Sequence, residues 1–184
     1  MSVKNTYFPY FKMADKFEYK KEVNGFQVYL LEGENGKNIY RIQGKLNCSS
    51  EKCIKYLSNP DIRQALSKGK VKFTEINRLD NDNWFELVEF KSNDGLLDDV
   101  YSIEKLVRSK NYLYSYSEMP IGYQNKRKAL DKRDNLFSCV VAIPQNEECL
   151  LDSLLVFGEF EMSQDLVVDA TLDYYNRLKT IINS

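Results

Sequence analysis

The chain reads as an α+β protein in which a curved antiparallel sheet wraps around one long C-terminal helix. Three observations predict this. Between Lys70 and Met162 six runs rich in Val, Ile, Phe and Tyr follow one another with turns between them. A further hairpin stands near the start, around Asn38–Leu46. The last twenty or so residues instead carry apolar side chains at helical spacing.

The chain opens with residues 8–21, which read as a short amphipathic helical segment with Phe11, Ala14 and Tyr19 inward. Asn24-Gly25 marks a turn, after which Phe26–Glu32 reads as a strand. A Gly-rich turn at 33–36 leads into Asn38–Leu46, completing a hairpin signature. Ser49 or Ser50 then caps a helix with Cys53, Ile54 and Leu57 on its apolar stripe, and Glu51 suits its first turn. Pro60 restarts the helix, with Ile62, Ala65 and Leu66 inward, and Gly69 ends it. The six later strands are Lys70–Leu79, Trp84–Lys91, Val100–Arg108, Tyr112–Glu118, Leu136–Pro144 and Leu150–Met162. Their short connections make neighbours antiparallel. Ser163 caps the final helix, whose inward face reads Val167, Ala170, Tyr174, Leu178 and Ile181, widened by Leu166, Leu172 and Ile182. At ~1.5 Å per residue this helix spans roughly 30 Å, enough to cross a sheet of several strands.

Composition narrows the class. The 184 residues fit one domain, with 43% hydrophobic and 29% charged residues. A net charge of −1 gives no electrostatic case for nucleic acid. Histidine is absent altogether, which excludes Ser-His-Asp and Cys-His catalysis, His-ligated metal and a histidine pH switch. Cys48, Cys53, Cys139 and Cys149 form no CxxC pair and no zinc spacing, so free thiols in a reducing compartment are expected. Met1–Lys12 has no signal-peptide core, and no apolar run reaches ~20 residues. The expected location is therefore cytoplasmic, with no cofactor. The 13 Tyr and 10 Phe suit either ordinary strands or the wall of a cavity.

The order of elements resembles the START lipid-transfer family and the wider helix-grip superfamily. Residues 22–46 (EVNGFQVYLLEGENGKNIYRIQGKL) are similar to the family's opening hairpin, and residues 99–120 (DVYSIEKLVRSKNYLYSYSEMP) to its central one. The resemblance covers about residues 12–182 of a single domain, 1–184. Where the family often has Arg-x-x-Trp-Asp, this chain has Arg63-Gln64-Ala65-Leu66. The resemblance implies a cavity between sheet and C-terminal helix holding one phospholipid or sterol, closed by mobile loops, in a monomer. A co-chaperone-like interaction module and a cyclase- or hydrolase-type enzyme are the alternatives.

Four groups of residues follow as candidates. The helix face Val167, Ala170, Tyr174, Leu178 and Ile181 is either packed core or cavity wall. Tyr112, Tyr114 and Tyr116 fall on one face of a strand and are placed on the concave side, although Leu113, Ser115 and Ser117 would suit a cavity equally well. Leu96 and Leu97 stand in a polar loop at the position of the family's lid. Lys126, Arg127, Lys128, Lys132 and Arg133 cluster within eight residues and would dock to a transient anionic membrane surface. Glu104 and Glu159 are expected to face outward.

Overall fold

The computed structural model describes residues 6–33, 37–91, 100–123, 131–132, 135–157 and 163–184. Ten strands and three α-helices are described: β1 (Glu18–Val23), β2 (Phe26–Glu32), β3 (Asn38–Leu46), α1 (Ser50–Leu57), α2 (Pro60–Leu66), β4 (Val71–Arg78), β5 (Asn83–Phe90), β6 (Val100–Arg108), β7 (Tyr112–Ser117), β8 (Asp131–Lys132), β9 (Asn135–Gln145), β10 (Glu148–Phe157) and α3 (Gln164–Asn183). The sheet order is β1-β2-β3-β10-β9-β7-β6-β5-β4, antiparallel throughout, with the two-residue β8 parallel to β6. The first hairpin therefore joins the rest through β3 against β10, eight residue pairs in continuous register.

Local chemistry fixes the element ends. Asn24 and Gly25 both have positive φ (55° and 83°), the geometry a tight two-residue hairpin requires. Ser49 accepts a hydrogen bond from the Lys52 amide, and Asn59 accepts from the amides of Asp61 and Ile62, capping α1 and α2. Ser163 does the same for α3 through the Leu166 amide. At Gly44 an added Cβ would lie 2.2 Å from the buried ring of Phe26, so the close approach of β2 and β3 depends on its missing side chain.

Residues 18–21 belong to β1 rather than to a helix, and the helical lead-in is reduced to two 3₁₀ turns, Phe8–Lys12 and Ala14–Lys16. β1 is an edge strand whose residues are nearly all exposed, so it lacks the apolar alternation by which strands are recognised. Ala14 and Tyr19 point to solvent and Phe17 is the buried member. In α2, Ala65 is exposed and Arg63 takes the inward place beside Leu66.

Side-chain alternation gives the sheet two covered faces. On the concave face Phe26, Val28, Ile42, Val140 and Leu151 pack against Val168, Leu172, Tyr175 and Leu178 of α3 and against α1. Tyr175 stacks on Phe26 and donates its hydroxyl to Ser153 Oγ at 2.9 Å, so burial of the phenol leaves no unpaired group. On the convex face Ile39, Phe137, Cys139, Leu154 and Val156 are covered by Tyr7, Phe8, Phe11 and Phe17 of the N-terminal segment. Beneath that cover Arg41 makes a bidentate ion pair with Asp152 (2.9 and 2.7 Å).

Candidate functional site

A polar group is buried on the concave face of β5, β6 and β7. Trp84, Glu86 and Val88 alternate onto that face of β5, so an acid stands between apolar neighbours. Glu86 pairs in register with Glu104 of β6, and Glu104 with Ser117 of β7. Both carboxylates are buried, at 2% and 7% exposure. Ser102 Oγ lies 3.3 Å from Ser117 Oγ on the same side. Two acids side by side in a sheet repel each other, and a buried charge requires a partner.

Arg63 supplies it from α2. Its Nη2 donates to both oxygens of Glu86 at 2.6 Å, and the Trp84 indole N–H donates to Glu86 Oε1 at 2.7 Å. The guanidinium lies over the Phe73 ring, 4.2 Å from its centroid. Asn59 and Pro60 set the start of α2, which packs on β4 and so holds Arg63 over the sheet. Among the described residues Arg63 Nε is buried with no hydrogen-bond partner. A buried donor left free costs stability unless a ligand or water accepts from it. Tyr174 of α3 is half-buried, and desolvation pushes its phenol up to about 12. The arrangement offers a hydrogen-bond donor, carboxylate acceptors and hydroxyls inside an apolar surround.

The expected site residues divide. Val167 and Leu178 are buried against the sheet, and Tyr174 and Ile181 are partly buried on the same core. Ala170 is exposed, as is Leu166 at 59%. The buried face runs instead through Val168, Thr171, Leu172, Tyr175 and Ile182, rotated toward the neighbouring positions. The sequence allowed either face because apolar residues occur on both. Tyr112, Tyr114 and Tyr116 stack on one another on the convex side, where Tyr114 meets Phe8 and Phe137. Their placement on the concave side is thus corrected: Leu113 faces the α3 core, and the one-residue alternation puts the tyrosines opposite. Glu104 is likewise corrected from outward to buried and inward. Leu96, Leu97, Lys126, Arg127, Lys128, Arg133 and Glu159 lie outside the described residues, and of Lys132 only its place in β8 is described.

Arg63 and Glu86 were missed as site residues. The available signal was a single acid inside an otherwise apolar period-two face, Trp84-x-Glu86-x-Val88.

Solved structures match along almost the whole chain. Human StAR-related lipid transfer protein 5 superposes with a TM-score of 0.78 at 13% identity, over 98% of this chain and 93% of that one. The fold is that of the START domain. Human STARD10 matches at TM-score 0.75 and 14% identity, over 94% and 76% of the two chains. A STAR-related lipid transfer protein from Xanthomonas axonopodis matches at 0.74 and 11%, over 92% and 100%. No family model matches the sequence, and no curated protein matches it either. What this chain shares with these START structures is therefore the path of its backbone. Among the described residues no helix is long and apolar enough to cross a membrane.

Proposed function

We propose that the protein is a lipid-binding and lipid-transfer protein that holds one lipid or sterol between the concave face of its sheet and α3. The observation that carries this reading is the buried polar group Arg63, Glu86 and Glu104 on the concave face of a START fold. Packed cores tolerate buried charge poorly, and a site for an amphiphile needs a polar end for the head group or hydroxyl within an apolar wall. The Arg63 Nε–H, free among the described residues, is the donor that such a group would accept from. Tyr174, Leu178 and Val167 would contribute to the apolar wall. The reading is of a carrier, with no covalent chemistry and no cofactor.

Leu96 and Leu97 act in this proposal as a lid, and Lys126, Arg127, Lys128, Lys132 and Arg133 as the contact with an anionic bilayer. The strand ends these two connections join (Phe90 and Val100, Ser117 and Asn135) lie at one end of the sheet, the end from which β10 leads to α3. A carrier approaching a membrane with that end would present lid and basic residues together.

The test is extraction of the purified protein, with mass spectrometry of any bound lipid, followed by titration with fluorescent fatty-acyl and sterol analogues. One analogue bound per chain, weakened in Arg63→Lys and Glu86→Gln, is the expected result. A chain that carries no lipid and binds no analogue would overturn the reading in favour of an interaction module. Docking is tested separately: sedimentation with anionic vesicles should fade with added salt and with Lys126, Arg127 and Lys128 changed to Glu, because the screening length is ~8 Å at physiological ionic strength.

A further inference from the structure

The connection that leaves β7 begins with a turn that is fixed on both sides and open at its tip. Pro120 is buried, and Tyr123 packs against Leu87, Tyr101 and Ile103. The Tyr123 amide donates to the Pro120 carbonyl at 3.1 Å, and Gly122 between them has a φ of 76°, the pattern of a type II turn. Ile121 stands at the tip. It is 106% exposed, whereas the other exposed large apolar side chains among the described residues range from 41% to 59%. One of those, Met119 at 43%, immediately precedes the turn.

An exposed aliphatic residue needs no explanation where it leans on its neighbours. Ile121 leans on nothing. The turn that presents it is anchored by Pro120 and Tyr123, so folding it back would cost those contacts. Charge indicates what covers it. Glu118, the acid beside the turn, is paired with Lys105 Nζ at 3.4 Å. Further along, the sequence runs through Lys126, Arg127 and Lys128, then Lys132 and Arg133, against Asp131 and Asp134. An aliphatic tip followed by an excess of cations matches the layers of an anionic membrane surface, acyl chains beneath and negative head groups above. Protein interfaces, by contrast, deplete lysine around their apolar centres. The Glu118 amide donates to Ile103 O, and Ser117 pairs with Glu104, so the turn lies toward the end of the sheet where β6 begins. That is the end given above to the lid.

We propose that residues 120–123 form a membrane-insertion anchor, in which Ile121, with Met119, enters the acyl layer of an anionic bilayer. This anchor rests on the docking proposed above and adds to it an apolar contact that salt does not screen. Electrostatic attraction acting over ~8 Å brings the chain to the surface, and one shallow aliphatic contact holds it there reversibly.

The full chain has one tryptophan, Trp84, which is 2% exposed. A second one introduced by Ile121→Trp therefore reports on the turn once the signal of the unaltered chain is subtracted. Vesicles of phosphatidylcholine with phosphatidylserine, at low salt, should shift its emission to the blue, and lipids brominated on their acyl chains should quench it. In sedimentation with the same vesicles Ile121→Ser should bind roughly tenfold more weakly, about what one aliphatic side chain contributes. Its salt dependence should be unchanged, because no charge is lost. At so exposed a site neither variant should alter the melting temperature. Binding of Ile121→Trp with no blue shift and no quenching, or undiminished binding of Ile121→Ser, would overturn the insertion and leave electrostatic docking in place. No vesicle binding by the unaltered chain would overturn both, while lipid capture in solution keeps its own titration. A dimer in gel filtration that Ile121→Ser dissolves would assign the turn to a second copy of the chain and likewise overturn the proposal.

Discussion

Arg63 is the residue whose removal is most informative. Its partner Glu86 is 2% exposed, so Arg63→Ala leaves a buried carboxylate with no cation and is expected to cost about 3–5 kcal/mol, read as a fall in the chemical-denaturation midpoint. Arg63→Met combined with Glu86→Leu should recover most of that loss, because the desolvation penalty then disappears with the charges. If the double variant binds no lipid analogue while remaining folded, the pair belongs to recognition rather than to stability. Tyrosines supply a second residue-level test. Burial raises Tyr174 from 10.0 to about 12, and burial followed by Glu118 raises Tyr116 to about 12. The unfolded chain ionises these phenols from pH 10 upward while the folded chain retains their protons. Stability is therefore constant below that pH with respect to these groups and falls as pH rises toward 12. Denaturation midpoints measured across this alkaline window should decline, and Tyr174→Phe should make the decline shallower.

At the scale of elements, α3 and the β2–β3 pair give opposite expectations for small changes. Leu178 is fully buried, so Leu178→Ala should cost about 2–5 kcal/mol, whereas Ala170→Trp on the exposed side should stay within about 0.5 kcal/mol and leave lipid binding unchanged. Thermal melts of both variants check the rotation of the helix. Gly44→Ala places a methyl 2.2 Å from a Phe26 ring that is itself held by Tyr175, so the sheet or the ring must move. A loss of about 1–3 kcal/mol is expected, as for other overpacked cores. Most element bounds were legible in the sequence because turn chemistry is local: Asn24-Gly25 turns the first hairpin at positive φ, Pro60 stands at a helix start, and Ser49 and Ser163 cap helices by hydrogen bonds within three residues. β1 was not, because an edge strand with exposed charges carries no apolar alternation.

The whole molecule is a sheet covered on both sides, and the second cover is the unexpected one. Tyr7 stacks on Phe137 at 5.1 Å and Phe8 meets Tyr114 edge-on at 5.8 Å, so residues 7–17 close the convex face as the helices close the concave one. Removing residues 1–16 should uncover Phe137 and Tyr114, which Tyr7 and Phe8 cover. A lower melting temperature with increased binding of a hydrophobic dye is expected, while the concave site keeps its ligand affinity at temperatures where the chain stays folded.

The sequence by itself determined the α+β class, the order of the later strands, the starts of all three helices and the apolar character of the C-terminal helix. It also determined what chemistry is closed to a chain without histidine. Each of those is written in local spacing or in composition. Only the tertiary structure decided which strand face is concave, because a period-two pattern with side chains suited to both faces specifies the alternation but not its sign. That sign sent Tyr112, Tyr114 and Tyr116 outward and brought Glu104 inward. It likewise took the packing of α2 on β4 to carry Arg63 onto Glu86, twenty-three positions away in the chain, and so to make a buried polar site from residues that look like ordinary surface charges.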